Sequence, residues 1–318
     1  MKIGFIGLGN VGVKLAGSLL RNGFEVTVRD LDRTAAEPFL ALGATWAESP
    51  RALAEAVDLA ITCLPSPAAS AEVMEAGDGL LTGLAPGKVW MEMSTTDAAE
   101  VQRLAALVVG RGAQALEAPV SGGCHRAATG NIAILVGGPR EAFDFAFPAL
   151  AAMGRQILHT GELGSASVLK VITNYLASTH LVALGEALTT AKQSGLDLAT
   201  AFEAIRISSG NSFVHETESQ VILNGSYDIS FTMDLVIKDL SLFEAVAGRA
   251  GVPLEVSPRV LEIFRDGQER YGPRAWSSMI VKRLEDACGT DLRASGFPAQ
   301  LVDEEPSELG REIRPERR

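Results

Sequence analysis

Short apolar runs alternate with amphipathic stretches through the first half of the chain. Runs of strand character occupy 2–6, 25–29, 59–63, 89–93 and 114–117. Between them, 11–21, 34–42, 50–56 and 98–109 repeat their apolar residues at helical spacing. Strands alternating with helices imply βαβ units and a parallel sheet covered by helices. The run Leu59-Ala60-Ile61-Thr62-Cys63 is apolar almost throughout, as a strand buried on both faces requires.

The second half has a different rhythm. Eight of the 14 prolines fall in residues 1–148, and none falls between 149 and 252. Helical spacing runs unbroken over 165–193, then recurs at 198–207, 213–223, 233–250 and 257–268. The pattern therefore predicts an α/β, doubly wound Rossmann-type domain over 1–163. A long helix leads from it into an all-helical domain over 164–292. Residues 293–318, rich in Glu, Arg and Pro and poor in apolar side chains, read as a mobile tail.

Composition narrows the function classes. With 28 Lys and Arg against 39 Asp and Glu, the net charge is −11. Such a chain lacks the basic footprint that nucleic acid or an anionic membrane surface demands. No stretch has the 18 consecutive apolar residues of a membrane helix, and the apolar start is too short for a signal peptide. A cytoplasmic protein is expected. The 3 cysteines are far apart and the 4 histidines lack ligand spacing, so neither disulfides nor a metal site is expected.

Residues 7–12 read Gly7-Leu8-Gly9-Asn10-Val11-Gly12, directly after an apolar strand and at the opening of a helix. Glycine at the first position permits a tight turn, at the second lets backbone approach a pyrophosphate, and at the third lets helix and strand pack closely. The helix N-terminus supplies amide donors and a positive dipole end. Asp30 ends the second strand, where a carboxylate accepts from the adenosine ribose hydroxyls and repels the 2′-phosphate of NADP. NAD is the expected cofactor. Arg29 and Arg33 keep NADP possible, unless both belong to a solvated loop. Leu64 and Pro65, after the strand at 59–63, and Thr96, after the strand at 89–93, lie where such sheets bind ligands. Cys63 reads better as a small buried residue than as a nucleophile.

Beyond this half, Ser121-Gly122-Gly123 follows a strand and offers consecutive backbone amides to an anion such as a carboxylate. Lys170 and Asn174, four apart, share one face of the long helix among apolar neighbours. A lysine so placed either extends its tip to solvent or does chemistry.

Together, GLGNVG, PVSGG, GxxxxxKxxxN and the pair Lys238-Asp239 stand in an order that resembles the β-hydroxyacid dehydrogenases, which include 3-hydroxyisobutyrate dehydrogenase and tartronate semialdehyde reductase. The resemblance spans all but the tail. It implies hydride transfer between NAD(P) and a 3-hydroxy acid or its semialdehyde, with Lys170 as general acid/base. By the same resemblance, Ser121, Gly122 and Gly123 bind the substrate carboxylate, Asn174 lies beside the lysine, and Lys238 lines the cleft near cofactor and substrate. It also implies a homodimer or homotetramer. A lysine with a pKa of about 10.4 needs lowering toward about 7–8 to serve both directions. Burial and neighbouring cations have that effect.

Several positions stay open. Where the family usually has glycine soon after PVSGG, this chain has Arg126, which either meets a second polar group of the substrate or lies on a surface loop. His125 reads as structural or exposed. Asn211 and Phe213 either shape the substrate pocket or cap and pack the following helix. Lys238 forms either part of the site or a surface pair with Asp239. Thr173 replaces the histidine usual in 6-phosphogluconate dehydrogenases, and the retained Lys170 counts against an imine reductase. A dinucleotide-sensing protein without catalysis is a further alternative, distinguished by cofactor binding without turnover.

Overall fold

Period-two alternation in the strands decides how the sheet is covered. Residues 1–315 are described by the computed structural model, in two compact units: Met1–Lys170 together with the segment from Asp303, and Val171–Val302. The first unit runs β1 (Lys2–Ile6), α1 (Gly12–Arg21), β2 (Glu25–Arg29), α2 (Glu37–Ala41), β3 (Thr45–Trp46), α3 (Pro50–Ala56), β4 (Leu59–Thr62), α4 (Pro67–Glu75) and α5 (Leu80–Gly83). It continues with β5 (Val89–Glu92), α6 (Ala98–Gly110), β6 (Gln114–Glu117), β7 (Val120–Ser121), α7 (Gly123–Thr129), β8 (Ile132–Gly137), α8 (Arg140–Met153) and β9 (Gly154–Gly161). Then comes the start of α9 (Ser165–Gln193), and the returning segment adds β10 (Arg311–Glu312).

The strands form one sheet in the order β10-β9-β8-β6-β5-β4-β1-β2-β3, with β7 paired to β8. β1 to β6 run parallel, and β8 is antiparallel to β6. Ile3, Phe5, Leu59, Ile61, Val89, Met91 and Leu116 bury one face against α1 and α8. The alternate residues Ala60, Trp90 and Ala115 bury the other against α3 and α6. The chain leaves β1 toward β2 on one side and reaches β4 on the other. That reversal opens a crevice at the carboxyl ends of β1 and β4, where doubly wound folds bind ligands.

The second unit is helical: most of α9, then α10 (Leu198–Arg206), α11 (Phe213–Asn224), α12 (Met233–Arg249), α13 (Ser257–Tyr271) and α14 (Lys282–Cys288). Leu181, Leu184 and Leu188 of α9 pack with Ile222, Leu240, Leu261 and Phe264 in its core. Among the described residues, no helix is long and apolar enough to cross a membrane.

Two features depart from the sequence pattern. β3, β7, β8, β9 and β10 add to the five strands that the alternation predicts. The described part of 293–318 is also no loose tail. Phe297 and Ala299 carbonyls accept from Asn224 and Ser226. Farther on, Asp303 accepts from Asn131 at 2.7 Å and from Thr129, while Glu305 pairs with Arg126 at 2.8 Å and Arg155 at 3.2 Å. β10 then pairs with β9, and Glu312 meets Arg140 at 2.6 Å. Gly310 lies so close to the Gly154 carbonyl that a Cβ would sit 1.9 Å from its oxygen. The segment is polar, yet its carboxylates face arginines distant in sequence and its backbone completes an open sheet edge.

Candidate active site

The glycine-rich turn sits at the crevice between β1 and β4. A Cβ on Gly12 would lie 1.9 Å from the Gly7 carbonyl oxygen, so the close approach of helix to turn demands glycine. A Cβ on Gly9, by contrast, meets nothing within 4 Å. α1 starts at Val11 without a side-chain cap and without an acidic residue in its first turn. α3, α4 and α6, in the same unit, are each capped by their own Ser49, Ser66 or Asp97. An uncapped helix start behind an open glycine is the arrangement a pyrophosphate completes. Asp30 closes the turn from β2, accepting from Leu8 N at 2.6 Å and Asp32 N at 3.0 Å.

The second nucleotide-side loop is tied to the third. Leu64 N donates to Ser94 Oγ at 2.7 Å, and Ser94 N and Oγ both donate to Glu92. This fixes Leu64 and Pro65 beside the loop that carries Thr96. Thr96 is 3 % exposed, and its Oγ1 has no hydrogen-bond partner among the described residues. A buried hydroxyl left open at the carboxyl end of a strand suits a ligand's polar edge. The residues present therefore fit a dinucleotide.

Ser121-Gly122-Gly123 spans the end of β7 and the start of α7, and both glycines hold the left-handed backbone, at φ +126° and +87°. The strand before it ends in Glu117, which is fully buried. This carboxylate accepts from Gly164 N at 2.6 Å, Ala166 N at 2.9 Å and Ser167 N at 3.1 Å, and also from Ser167 Oγ. Burial pushes the Glu117 carboxyl up, and the four donors pull it down. It caps α9, on which Lys170 lies one turn further along and is only 7 % exposed. Lysine is rarely so buried.

In the helical unit, Asn174 Nδ2 donates to Asp239 Oδ2 at 2.5 Å, and Lys238 Nζ lies 3.0 Å from Asp239 Oδ1. Asp239 is 2 % exposed, so this is no surface pair. It joins the asparagine of α9 to the lysine of α12. Beside it, Tyr175 stacks on Phe243 with ring centroids 4.2 Å apart. The sequence reading did not single out Glu117, Phe243 or Asp239 by itself. Only the Lys238-Asp239 pair carried a signal.

Other expected positions have structural work. Arg29 donates to the Ala47 and Glu48 carbonyls and lies over Trp46, so it braces the β2–β3 edge. Arg126 lies on α7 and pairs with Glu305 of the returning segment at 2.8 Å. Asn211 donates to Glu216 at 2.6 Å and accepts from Ser212 N, which favours the capping reading. Phe213 opens α11 and is 46 % exposed.

Comparison with known proteins agrees with this geometry. Residues 2–161 match the NAD binding domain of 6-phosphogluconate dehydrogenase, and 164–284 match the NAD-binding region of NADP-dependent 3-hydroxyisobutyrate dehydrogenase. The 2-(hydroxymethyl)glutarate dehydrogenase of Eubacterium barkeri is 32 % identical over 92 % of this chain and 97 % of its own length. The NAD-dependent L-serine dehydrogenase of Pseudomonas aeruginosa is 33 % identical over 90 % and 98 %. The crystal structure of 3-hydroxyisobutyrate dehydrogenase from Salmonella typhimurium superposes with a TM-score of 0.81 at 29 % identity, covering 89 % of this chain and 99 % of that one. Fold and relatives together define an NAD(P)-dependent oxidoreductase acting on hydroxy acids. The chain belongs to the β-hydroxyacid dehydrogenase family.

Proposed function

We propose that the protein oxidises a 2-substituted 3-hydroxypropanoate to its semialdehyde, with Lys170 as general acid/base. Lys170, only 7 % exposed, on a helix capped from the strand before Ser121-Gly122-Gly123 is the observation that carries this reading. The substrates named for the relatives support it. 2-(Hydroxymethyl)glutarate, L-serine and 3-hydroxyisobutyrate all carry a hydroxymethyl group on the carbon that bears the carboxylate. They differ only in the third substituent.

In this reading the backbone amides of Ser121, Gly122 and Gly123 hold the carboxylate, and Asn174 orients the hydroxyl. Lys170 Nζ accepts the hydroxyl proton as the carbon–hydrogen electron pair leaves. A bound nicotinamide supplies the hydride acceptor. In reduction, protonated Lys170 returns that proton and polarises the carbonyl. Gly7 to Gly12 would hold the pyrophosphate, Asp30 the adenosine ribose, and Leu64, Pro65 and Thr96 the nicotinamide side; Lys238 would contact cofactor or substrate. NAD would be preferred over NADP, because the Asp30 carboxylate at the glycine turn would accept from the ribose hydroxyls and repel a 2′-phosphate.

A homodimer or homotetramer is part of the proposal, supported by Leu169 and Leu176 exposed on α9 at 38 % and 46 %. Light scattering on the purified protein tests it. A reducing cytoplasm is part of the same proposal, in keeping with 3 cysteines spaced far apart in the sequence.

The deciding experiment follows nicotinamide absorbance with NAD or NADP against those three hydroxy acids. Lys170→Ala is expected to lower kcat by about 10²–10⁴-fold while nucleotide affinity holds. Full turnover in that variant removes Lys170 from the mechanism. Cofactor binding without turnover of any of the three in the wild type points to a sensor.

A further inference from the structure

We propose that Glu117 is a positioning residue: its carboxylate sets the place of Lys170 relative to the Ser121-Gly122-Gly123 turn. This rests on the reading of Lys170 as the acid/base.

α3, α4, α6, α10 and α11 are capped by the serine or aspartate at their own start. α9 takes its cap from a residue 47 to 50 positions earlier in the chain. A local serine or aspartate would satisfy the same amides and stabilise the helix equally well. A cap from the end of β6 adds something a local cap lacks, because it fixes the helix to one strand in particular. That strand runs directly into Ala118-Pro119 and then the Ser121-Gly122-Gly123 turn. One carboxylate thus joins the two segments that carry Lys170 and the anion-binding amides.

The contact is also built to hold one geometry. Three backbone amides and one hydroxyl converge on two oxygens, so a shift of the helix along its axis or about it breaks several bonds at once. Ser167 supplies two of the four, and Lys170 follows three residues later, about 4.5 Å further along the axis. Gly137 on β8 leaves the space. A Cβ there would lie 2.3 Å from Glu117 Oε1. Gln102 Nε2, donating to Leu163 O at 2.7 Å, steadies the approach to the helix from α6.

Glutamine keeps the shape of Glu117 but turns one acceptor oxygen into an NH2 group aimed at donors. The test compares Glu117→Gln, Ser167→Ala, Lys170→Ala and the double variant Glu117→Gln/Lys170→Ala. The probes are 2-(hydroxymethyl)glutarate, L-serine and 3-hydroxyisobutyrate, using whichever the wild type oxidises fastest. In Glu117→Gln, kcat should fall roughly 10- to 100-fold, the loss expected of a catalytic group displaced by about 1 Å. KM and nucleotide Kd should stay within about threefold. Ser167→Ala should show a smaller fall in kcat with the same split. In the Lys170→Ala background, Glu117→Gln should add almost nothing, because it acts through the lysine.

An unchanged kcat in Glu117→Gln overturns the proposal, as does an undiminished effect in the Lys170→Ala background. If Glu117→Gln fails to fold, Ser167→Ala decides: a kcat loss at wild-type Tm supports positioning, and wild-type kcat overturns it. Full activity in Lys170→Ala defeats the underlying reading instead, so the two failures are distinguishable.

Discussion

Glu92 and Glu117 end the neighbouring strands β5 and β6 in register with each other, and both are buried. Their reach is very different. Glu92 bonds Ser94, two residues on, and through it the backbone of Leu64. Glu117 binds the start of a helix about fifty residues away with four donors. The contrast extends to the regions around them. From β1 to β5 the nucleotide side is assembled from short-range devices: a glycine turn, self-capped helices, a local carboxylate. From β6 to β10 the unit is held by contacts between residues far apart in the chain, including the segment that returns from Asp303.

That contrast can be broken by experiment. The largest effects belong to Lys170 and Glu117, whose variants should cost turnover without costing nucleotide affinity. Next comes the returning segment. Ending the chain at Val302 removes β10 and the partners of Arg126, Arg140 and Arg155. If this costs the first unit about 2 kcal/mol, calorimetry should show Tm lower by roughly 4–8 °C. An unchanged Tm would mean that the far side does not depend on its long-range partner.

A smaller effect is expected at Asp30. Asp30→Ala removes the ribose acceptor and the partner of Leu8 N, and should lower the ratio of NAD to NADP affinity about tenfold by fluorescence titration. An unaltered ratio clears Asp30 of selecting the cofactor.

The smallest is a pH effect at Glu92. Burial raises its carboxyl above the ordinary 4.5, with the Ser94 bonds opposing. The folded protein then holds that proton more tightly than the unfolded chain. Its contribution is therefore full below 4.5 and is lost as the pH rises through the folded value. Glutamine cannot ionise. The Tm of Glu92→Gln relative to wild type should climb as pH rises from 4.5 through the folded value, then level off. A difference independent of pH would show that Glu92 ionises as easily folded as unfolded.

Much of the nucleotide side is legible without coordinates. Glycine spacing after a strand and an acidic residue closing the next strand are short patterns, and each dictates backbone conformation within a few residues. The same holds for Lys170 and Asn174, because helical periodicity alone puts them on one face. Lys238 could be found only as part of a motif. That Asp239 is buried between Lys238 and Asn174 depends on how α12 packs on α9.

Other residues had no readable role. In the sequence Glu117 is the last residue of a strand, Arg126 either a substrate contact or a surface-loop residue, and 293–318 a mobile tail. Local periodicity and turn chemistry determine the class of fold, the dinucleotide turn and the lysine helix, since those depend on neighbours a few positions away. Which carboxylate caps α9, which arginines the returning segment meets and which strand it joins depend on pairs separated by fifty to more than one hundred and fifty residues. Only folding brings those charges within hydrogen-bond distance, where burial makes a partner obligatory.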